Sequence, residues 1–550
     1  MGGDAERIKS SLSCFRPPGQ RCPRDLLRSP AHFPRLPAKS TCCSDNPRLH
    51  LRDKPRPMKS ASDDKLREQC AVFGIYCPGS EAARVAFYGL WALQHRGQEG
   101  SGIVTSDGHR MYRHAGAGLA SSVYHDEDMQ RLKGHIAAGH NRYSTSGGGG
   151  DFYNQPFLHD SGQFALAHNG NLPDCSMLED FLASHNVPTE THNDTRLMEA
   201  AIALYVSAGH DLESAIIKAY PLFTGAFSAV SMDARRLLAF RDECGIRPLS
   251  IGTLDDGYVV ASETCAFDTI GAAFLRDVRP GELVCVDEDG LTSHQVVEGN
   301  QKIDVFEFVY FARPDSIIMG QRVNSVRQNF GLEMAKEFCV KADVVIPVPD
   351  SSIPAALGYS RASGLPFDVG IIKNRYIHRT FIQPTAGLRR RDVKMKLNPI
   401  LESVAGKRVV LVDDSVVRGT TMRQVVQIVR DAGARQVHLI ISSPPVLYPD
   451  FYGIDTPDQR DLIAAHMSLE EMRAYLHADT LNFLSIDGMV RATGLSRSQL
   501  SMSCFDGVYP IGIGRREETV VAGGSPVMGR VDGSTAEIGQ AEADRSGLRV

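Results

Sequence analysis

From Cys70 to about Val297 the chain alternates short apolar runs with Gly-rich turns. "CAVFGIYC", "GSGIVTSD", "IAAGHNRYST", "FALAHNGNL", "AFSAVSMD", "RLLAFRD", "YVVASE" and "ELVCVDE" are each of strand length. Two longer segments interrupt them, "AARVAFYGLWALQH" and "TRLMEAAIALYVSA", with apolar residues at the three-to-four spacing of a helix face. Many strands with a few helices predict layered sheets covered by helices.

From about Val305 to Tyr509 the pattern changes to strand, loop, helix, repeated. "DVVIPVPDS" leads into "IPAALGYSRAS", "FDVGIIKN" follows, and "KRVVLVDDSVVRGTTMRQVVQIVRDAGA" runs on to "QVHLIISSPP". Unbroken Val/Ile/Leu runs such as "RVVLV" predict strands buried on both faces of a parallel sheet. In such a half, ligands bind beyond the carboxyl ends of the strands. The polar stretch "VVEGNQKIDV" marks the division, giving domains at 70–300 and 301–510.

Composition adds limits rather than direction. With 550 residues, 42% apolar and 23% charged, the chain has the make-up of a globular protein with room for two cores. A net charge of −5 argues for neither nucleic acid nor a membrane surface as partner, and no apolar run approaches the roughly 20 residues of a membrane-spanning helix. The twelve cysteines lack both scaffold spacing and a C-x-x-C pair, so they read as reduced thiols of a cytoplasmic protein. Residues 1–57 are Arg- and Pro-rich without hydrophobic period and read as a disordered leader. They fit an over-long reading frame with the start at Met58, or an organelle transit peptide that Asp4, Glu6, Asp25, Asp45 and Asp53 count against. The Gly- and acid-rich end, 511–550, reads as a disordered tail.

"VVLVDDSVVRGTT" carries the clearest chemistry. A buried strand ends in Asp413 and Asp414, a short loop holds Ser415, Arg418 and Gly419, and Thr420 and Thr421 open a helix. Gly419 permits close backbone approach, and free N–H groups with two hydroxyls make a phosphate pocket. Two carboxylates beside it are poor phosphate ligands but suit sugar hydroxyls, or a Mg²⁺ bridging a sugar and a diphosphate. The alternative is an acidic pair that only caps the helix.

This string resembles the phosphoribosylpyrophosphate (PRPP) signature of type I phosphoribosyltransferases. "PVPDSS" resembles a second part of that site, with Ser351 joining Asp413 and Asp414 as a metal contact. Lys373 opens a basic segment, "KNRYIHRTFIQP", able to close over a diphosphate. "QHRGQEGSG", "GHNRYSTSG" and "AHNGNL" in turn resemble the glutaminase domain of N-terminal nucleophile amidotransferases. Together, over roughly residues 64 to 510, the chain is similar to the amidophosphoribosyltransferase family. The resemblance implies an αββα glutaminase sandwich followed by an α/β phosphoribosyltransferase domain. It also implies glutamine-dependent conversion of PRPP to 5-phosphoribosylamine, the first step of purine synthesis, with Mg²⁺ as cofactor.

The resemblance makes Cys70 the nucleophile, exposed as a mature N-terminus once residues 1–69 are removed, with its own α-amine as base. Asn169 and Gly170 take the oxyanion, Arg142 the glutamine α-carboxylate and Asp194 its α-ammonium. Arg96, with Gly97, supports the nucleophile and joins the glutamine contacts. Family likeness further suggests a homo-tetramer inhibited by purine nucleotides. Some relatives hold a [4Fe–4S] cluster on four cysteines. Here Asp304 and Asp450 stand at two of those places and "SRSQLSMSC" keeps only Cys504, so no cluster is expected. A glucosamine-6-phosphate-type amidotransferase conflicts with the 413–421 string. A catalytically inactive PRPP- or nucleotide-binding regulator would arise if the leader were retained.

Overall fold

The computed structural model describes residues 70–143, 153–189, 192–374, 396–454 and 458–520. The expected leader, all but the start of the basic segment after Lys373, and most of the expected tail lie outside these residues.

The first half forms four layers. One antiparallel sheet has seven strands in the order Ala273–Asp277, Ser250–Leu254, Gly257–Ala261, Ala71–Tyr76, Ile136–Arg142, Gly100–Ser106, Met111–Ala117. The other has six, in the order Gly290–Gln295, Glu282–Asp287, Leu237–Arg241, Thr224–Met232, Ala165–Asp174, Phe157–Leu158. Alternation along the strands assigns each residue a layer. Val72, Ile136, Ala138, Ala167, Val230 and Val260 fill the space between the sheets. Their neighbours Phe73, Ile75, Ala137 and Val259 face outward onto helices Ala82–Ala92 and Cys265–Ile270. On the far side, Leu166, Phe227 and Phe240 meet helices Ser176–Ser184, Asp194–Ser207 and Leu212–Ala219.

The second half is built on four parallel strands, Val344–Pro347, Arg408–Asp413, Gln436–Ile441 and Thr480–Phe483, in that order. Both faces are covered, as the unbroken apolar runs require. Val409, Leu411 and Leu439 pack on helix Thr420–Asp431, while Val410, Val412 and Ile440 pack in the core of helices Val323–Glu337 and Ile353–Ser363. Burying one such side chain contributes about 1.5–3 kcal/mol, so a two-faced sheet concentrates stability in few residues.

One expectation is corrected. Residues 511–520, assigned to a disordered tail, continue the fold: Ile511 and Ile513 are buried with Ala226, Ile246 and Tyr452, and Gly514–Thr519 forms a 3₁₀ turn. Two isolated isoleucines among glycines show no period. Only the apolar face supplied by residues distant in the chain gives them a place to pack.

Candidate active sites

Cys70 immediately precedes strand Ala71–Tyr76, which pairs with Ile136–Arg142 so that Ala71 lies opposite Asn141. The register carries Arg142 and Tyr143 alongside the thiol. The Tyr143 N–H donates to Cys70 Sγ at 3.4 Å, and Sγ lies 3.5 Å from the Tyr143 carbonyl oxygen. Burial pushes the Cys70 thiol up to about 11; the Tyr143 backbone and the Arg142 charge oppose this, and Asp194 adds to it. Arg142 and Asp194 therefore both act on this thiol. Cys77, at the other end of the strand, is buried, with Sγ 3.5 Å from the Leu254 carbonyl.

Asn169 and Gly170 lie within strand Ala165–Asp174, opposite Ser228 and Phe227. Asn169 is fully buried, yet neither its amide oxygen nor its amide nitrogen has a partner among the described residues. Buried polar atoms are nearly always paired, so an orphaned amide marks a place for a ligand. Gly170 has φ of 143°, and a Cβ there would meet the Ala226 carbonyl oxygen at 2.0 Å. Only glycine fits.

Asp194 begins helix Asp194–Ser207, behind the cap in which Asn193 accepts from the Arg196 N–H at 3.0 Å. Its carboxylate accepts from the Thr195 N–H at 2.8 Å and the Leu172 N–H at 3.3 Å. Two buried imidazoles lie nearby and neither suits a base. Burial, with the charges of His168 and Arg142, holds His140 down to about 3, and burial also lowers His168, against the pull of Asp194.

The second site sits at the carboxyl ends of two adjacent parallel strands. Ser352 Oγ donates to Asp413 Oδ1 at 2.8 Å, Ser415 Oγ donates to Asp414 Oδ1 at 2.7 Å, and Ser351 Oγ donates to Asp414 Oδ2. Both carboxylates are buried. Gly419, at φ of 74°, precedes helix Thr420–Asp431, so Thr420 and Thr421 stand at the positive end of its dipole. A Cβ at Gly419 would lie 2.7 Å from Ile463 Cδ1. Arg418 pairs with Asp461 at 2.9 Å and Lys373 with Asp350 at 3.2 Å, both partly exposed. Sequence reasoning missed Ser352; its signal was adjacency to Ser351 in "PVPDSS". Among the described residues no group of three or more His, Cys, Asp or Glu side chains could hold a metal ion by itself.

Arg96 lies in the interior. Its side chain is fully buried and its guanidinium is engaged by Glu263 through Nε and by Glu307 through Nη2. Burial alone would lower its basicity, but Glu307 and then Glu263 outweigh that and hold it firmly charged. A guanidinium neutralised on both sides is held in one place, as the expected support of the nucleophile needs. The motif "QHRGQ" showed a charge without showing where its partners lie.

Asp304, Asp450 and Cys504, far apart in sequence, converge. Arg247 Nη1 lies 2.9 Å from Asp304 Oδ2 and Nη2 lies 3.8 Å from Asp450 Oδ1. Ser503 Oγ donates to Asp450 Oδ2 at 3.2 Å, and Cys504 Sγ is 4.0 Å from the same oxygen. Burial pushes Asp304 up to about 7, with Arg247 opposing and Asp450 adding. Burial, then Asp450, drives the Cys504 thiol well above its usual range. One protonated thiol beside two carboxylates and a guanidinium does not fit a four-thiolate iron–sulfur core.

Residues 140–269 match the glutamine amidotransferase domain and residues 333–443 the phosphoribosyl transferase domain. The amidophosphoribosyltransferase of Bacillus subtilis is 46% identical over 454 residues, 81% of this chain and 94% of the relative. That of Synechocystis is 45% identical, covering 83% of this chain and 94% of the relative. The chain belongs to the amidophosphoribosyltransferase family. Solved structures agree in fold. The B. subtilis glutamine PRPP amidotransferase complexed with ADP and GMP matches with a TM-score of 0.76 at 45% identity, over 81% of this chain and 98% of that one. A structure described as the allosteric regulatory enzyme of purine biosynthesis matches at 0.77 and 45% identity, over 81% and 97%. As a family member, the chain is an enzyme of purine biosynthesis, a glycosyltransferase with glutaminase activity. The reading as an inactive regulator finds no support. Among the described residues no helix is long and apolar enough to cross a membrane.

Proposed function

We propose that Cys70 attacks the side-chain carbonyl of glutamine, and that the released ammonia displaces diphosphate from PRPP to give 5-phosphoribosylamine. Asn169 and the Gly170 N–H hold the developing oxyanion. Arg142 binds the α-carboxylate and Asp194 the α-ammonium. The orphaned, fully buried Asn169 amide carries this reading, because a carbonyl oxygen gaining charge is the partner it lacks. With the thiol raised and both imidazoles unsuited, proton removal falls to a free α-amine of Cys70, whose pKa of about 8 lies near working pH. That requires removal of residues 1–69.

PRPP binds with its 5-phosphate at Ser415–Thr421 and its ribose hydroxyls at Asp413 and Asp414. Arg418 and Lys373 face the phosphates by exchanging their present surface partners. Asp413, Asp414 and Ser351 would hold a Mg²⁺ ion, which would supply positive charge to offset the negative charge of a diphosphate leaving group. ADP and GMP in the B. subtilis structure support inhibition by purine nucleotides here. Family likeness supports a homo-tetramer, and the unpaired cysteines support a cytoplasmic location.

The decisive experiment replaces the nucleophile. Cys70→Ala abolishes glutamine use but retains ribosylamine synthesis from concentrated ammonium salt, and intact mass of the unaltered enzyme begins at Cys70. Loss of the ammonia reaction in a folded variant contradicts the division of labour. The purified protein is expected to be colourless; stoichiometric iron and acid-labile sulfide would overturn the reading of Asp304, Asp450 and Cys504.

A further inference from the structure

One of the two ion pairs of Arg96, that with Glu307, crosses between the two halves. Glu307 opens a π-helical turn, Glu307–Phe311, whose Phe308, Val309 and Phe311 are buried in the core of the parallel-sheet half. Its carboxylate meets Arg96 and, at 3.3 Å, Arg247. In return, Glu263 of the glutaminase half accepts from the Arg313 N–H at 2.9 Å and Ser316 Oγ at 2.6 Å, besides His95 at 2.7 Å. Each half places a carboxylate against donors of the other, with Arg96 between the two.

The loop that carries Arg96 is linked to the nucleophile through neighbouring residues. Gln94 Nε2 donates to the Gly97 carbonyl at 2.5 Å, tightening the loop. Gly97 lies against the backbone of Asn141 and Arg142, so closely that a Cβ would come within 2.7 Å of Asn141. The Glu99 N–H donates to the Arg142 carbonyl at 3.1 Å. Tyr143, the next residue, holds the Cys70 thiol. The contacts therefore run from Glu307 through Arg96 and the 94–99 loop to the strand end bearing Arg142 and Tyr143.

We propose that Glu307 and Arg96 are a positioning pair for the glutamine reaction: a carboxylate anchored in the phosphoribosyltransferase half fixes, through Arg96, the segment that aligns Cys70 and Arg142. This rests on Cys70 being the nucleophile. A buried guanidinium held by two carboxylates has a single low-energy placement, and a single Lys charge cannot reproduce its fork. The glutaminase half is then incomplete without the other.

Glu307→Gln keeps the side-chain shape and removes the charge; Arg96→Lys keeps the charge and removes the fork. In both, glutamine kcat/KM and the rate at which an electrophilic glutamine analogue labels the enzyme fall, by up to about 10²-fold for a displacement near 1 Å. Ammonia-dependent synthesis stays within about twofold, because the PRPP site is untouched. Unchanged labelling and kcat/KM in folded variants overturn the proposal. Should neither variant fold, native-state hydrogen exchange of the unaltered enzyme decides. The Glu99 and Tyr143 amides are expected to open together with Val410–Val412 of the parallel sheet, and independent opening overturns the proposal. Peptide mapping separates the two readings: label on a residue other than Cys70 refutes the nucleophile, whereas slow label on Cys70 bears on the pair alone.

Discussion

At Asn169 two amide atoms lie buried without partners, whereas the carboxylates of Asp413 and Asp414 already accept hydroxyl bonds from Ser351, Ser352 and Ser415. The difference follows from charge. A neutral amide left unpaired costs about 1–3 kcal/mol, a strain the fold can carry. Two adjacent buried carboxylates left unpaired cost far more, so the second site must be quieted by donors that ligand or metal can displace. The folds match these needs. Antiparallel pairing sets the strand end bearing Arg142 beside Cys70, while parallel strands end side by side and gather their loops.

The comparison breaks most visibly at the acidic pair. Asp413→Asn with Asp414→Asn keeps hydrogen-bonding groups in place but removes both charges. Ribosylamine formation from either nitrogen source is expected to fall by at least about 10²-fold, with glutaminase activity persisting. Steady-state kinetics with ammonia and with glutamine checks this; normal PRPP affinity would make the pair a helix cap.

The junction between the regions gives the next effect. Arg247→Met leaves Asp304, Glu307 and Asp450 facing one another in the interior, and is expected to destabilise the protein by about 3–5 kcal/mol. Urea unfolding measures it, and an unchanged midpoint would mean that the junction holds without its guanidinium.

The smallest effect is a pH dependence. The folded-state pKa of Asp304, about 7, lies above the unfolded value, so its ionisation is disfavoured in the fold. Its contribution to stability is fully present below the unfolded pKa and is lost as pH rises toward 7. Asp304→Asn removes that loss while an amide oxygen can still accept from the Phe306 N–H, which Asp304 now does at 2.9 Å. The variant is expected to gain in melting temperature over the parent as pH rises from about 5 to 8. A parallel pH profile would show that Asp304 is ionised throughout, held so by Arg247.

Period and punctuation alone announced both halves. Strand-length runs such as "AVFGIY" and "FALAHNGNL" between Gly-rich turns pointed to layered sheets, and "RVVLVDD" to a strand buried on both faces that ends in acid. The segment "IPAALGYSRAS" of the strand–loop–helix pattern is helix Ile353–Ser363, closed by Gly364 in the left-handed conformation. Cys70, Asn169, Gly170 and the 413–421 loop could be named as candidates because motif residues sit within a few positions of one another. What the sequence could not show is the identity of distant partners. Nothing near Arg96 in the chain points to Glu307, 211 positions away, nor does "IGIGRREE" show that Ile511 and Ile513 find Ala226 and Tyr452. Local pattern reflects backbone geometry, which repeats every two or 3.6 residues. Charge pairing and the last pieces of core depend on which surfaces meet, and only the folded chain decides that.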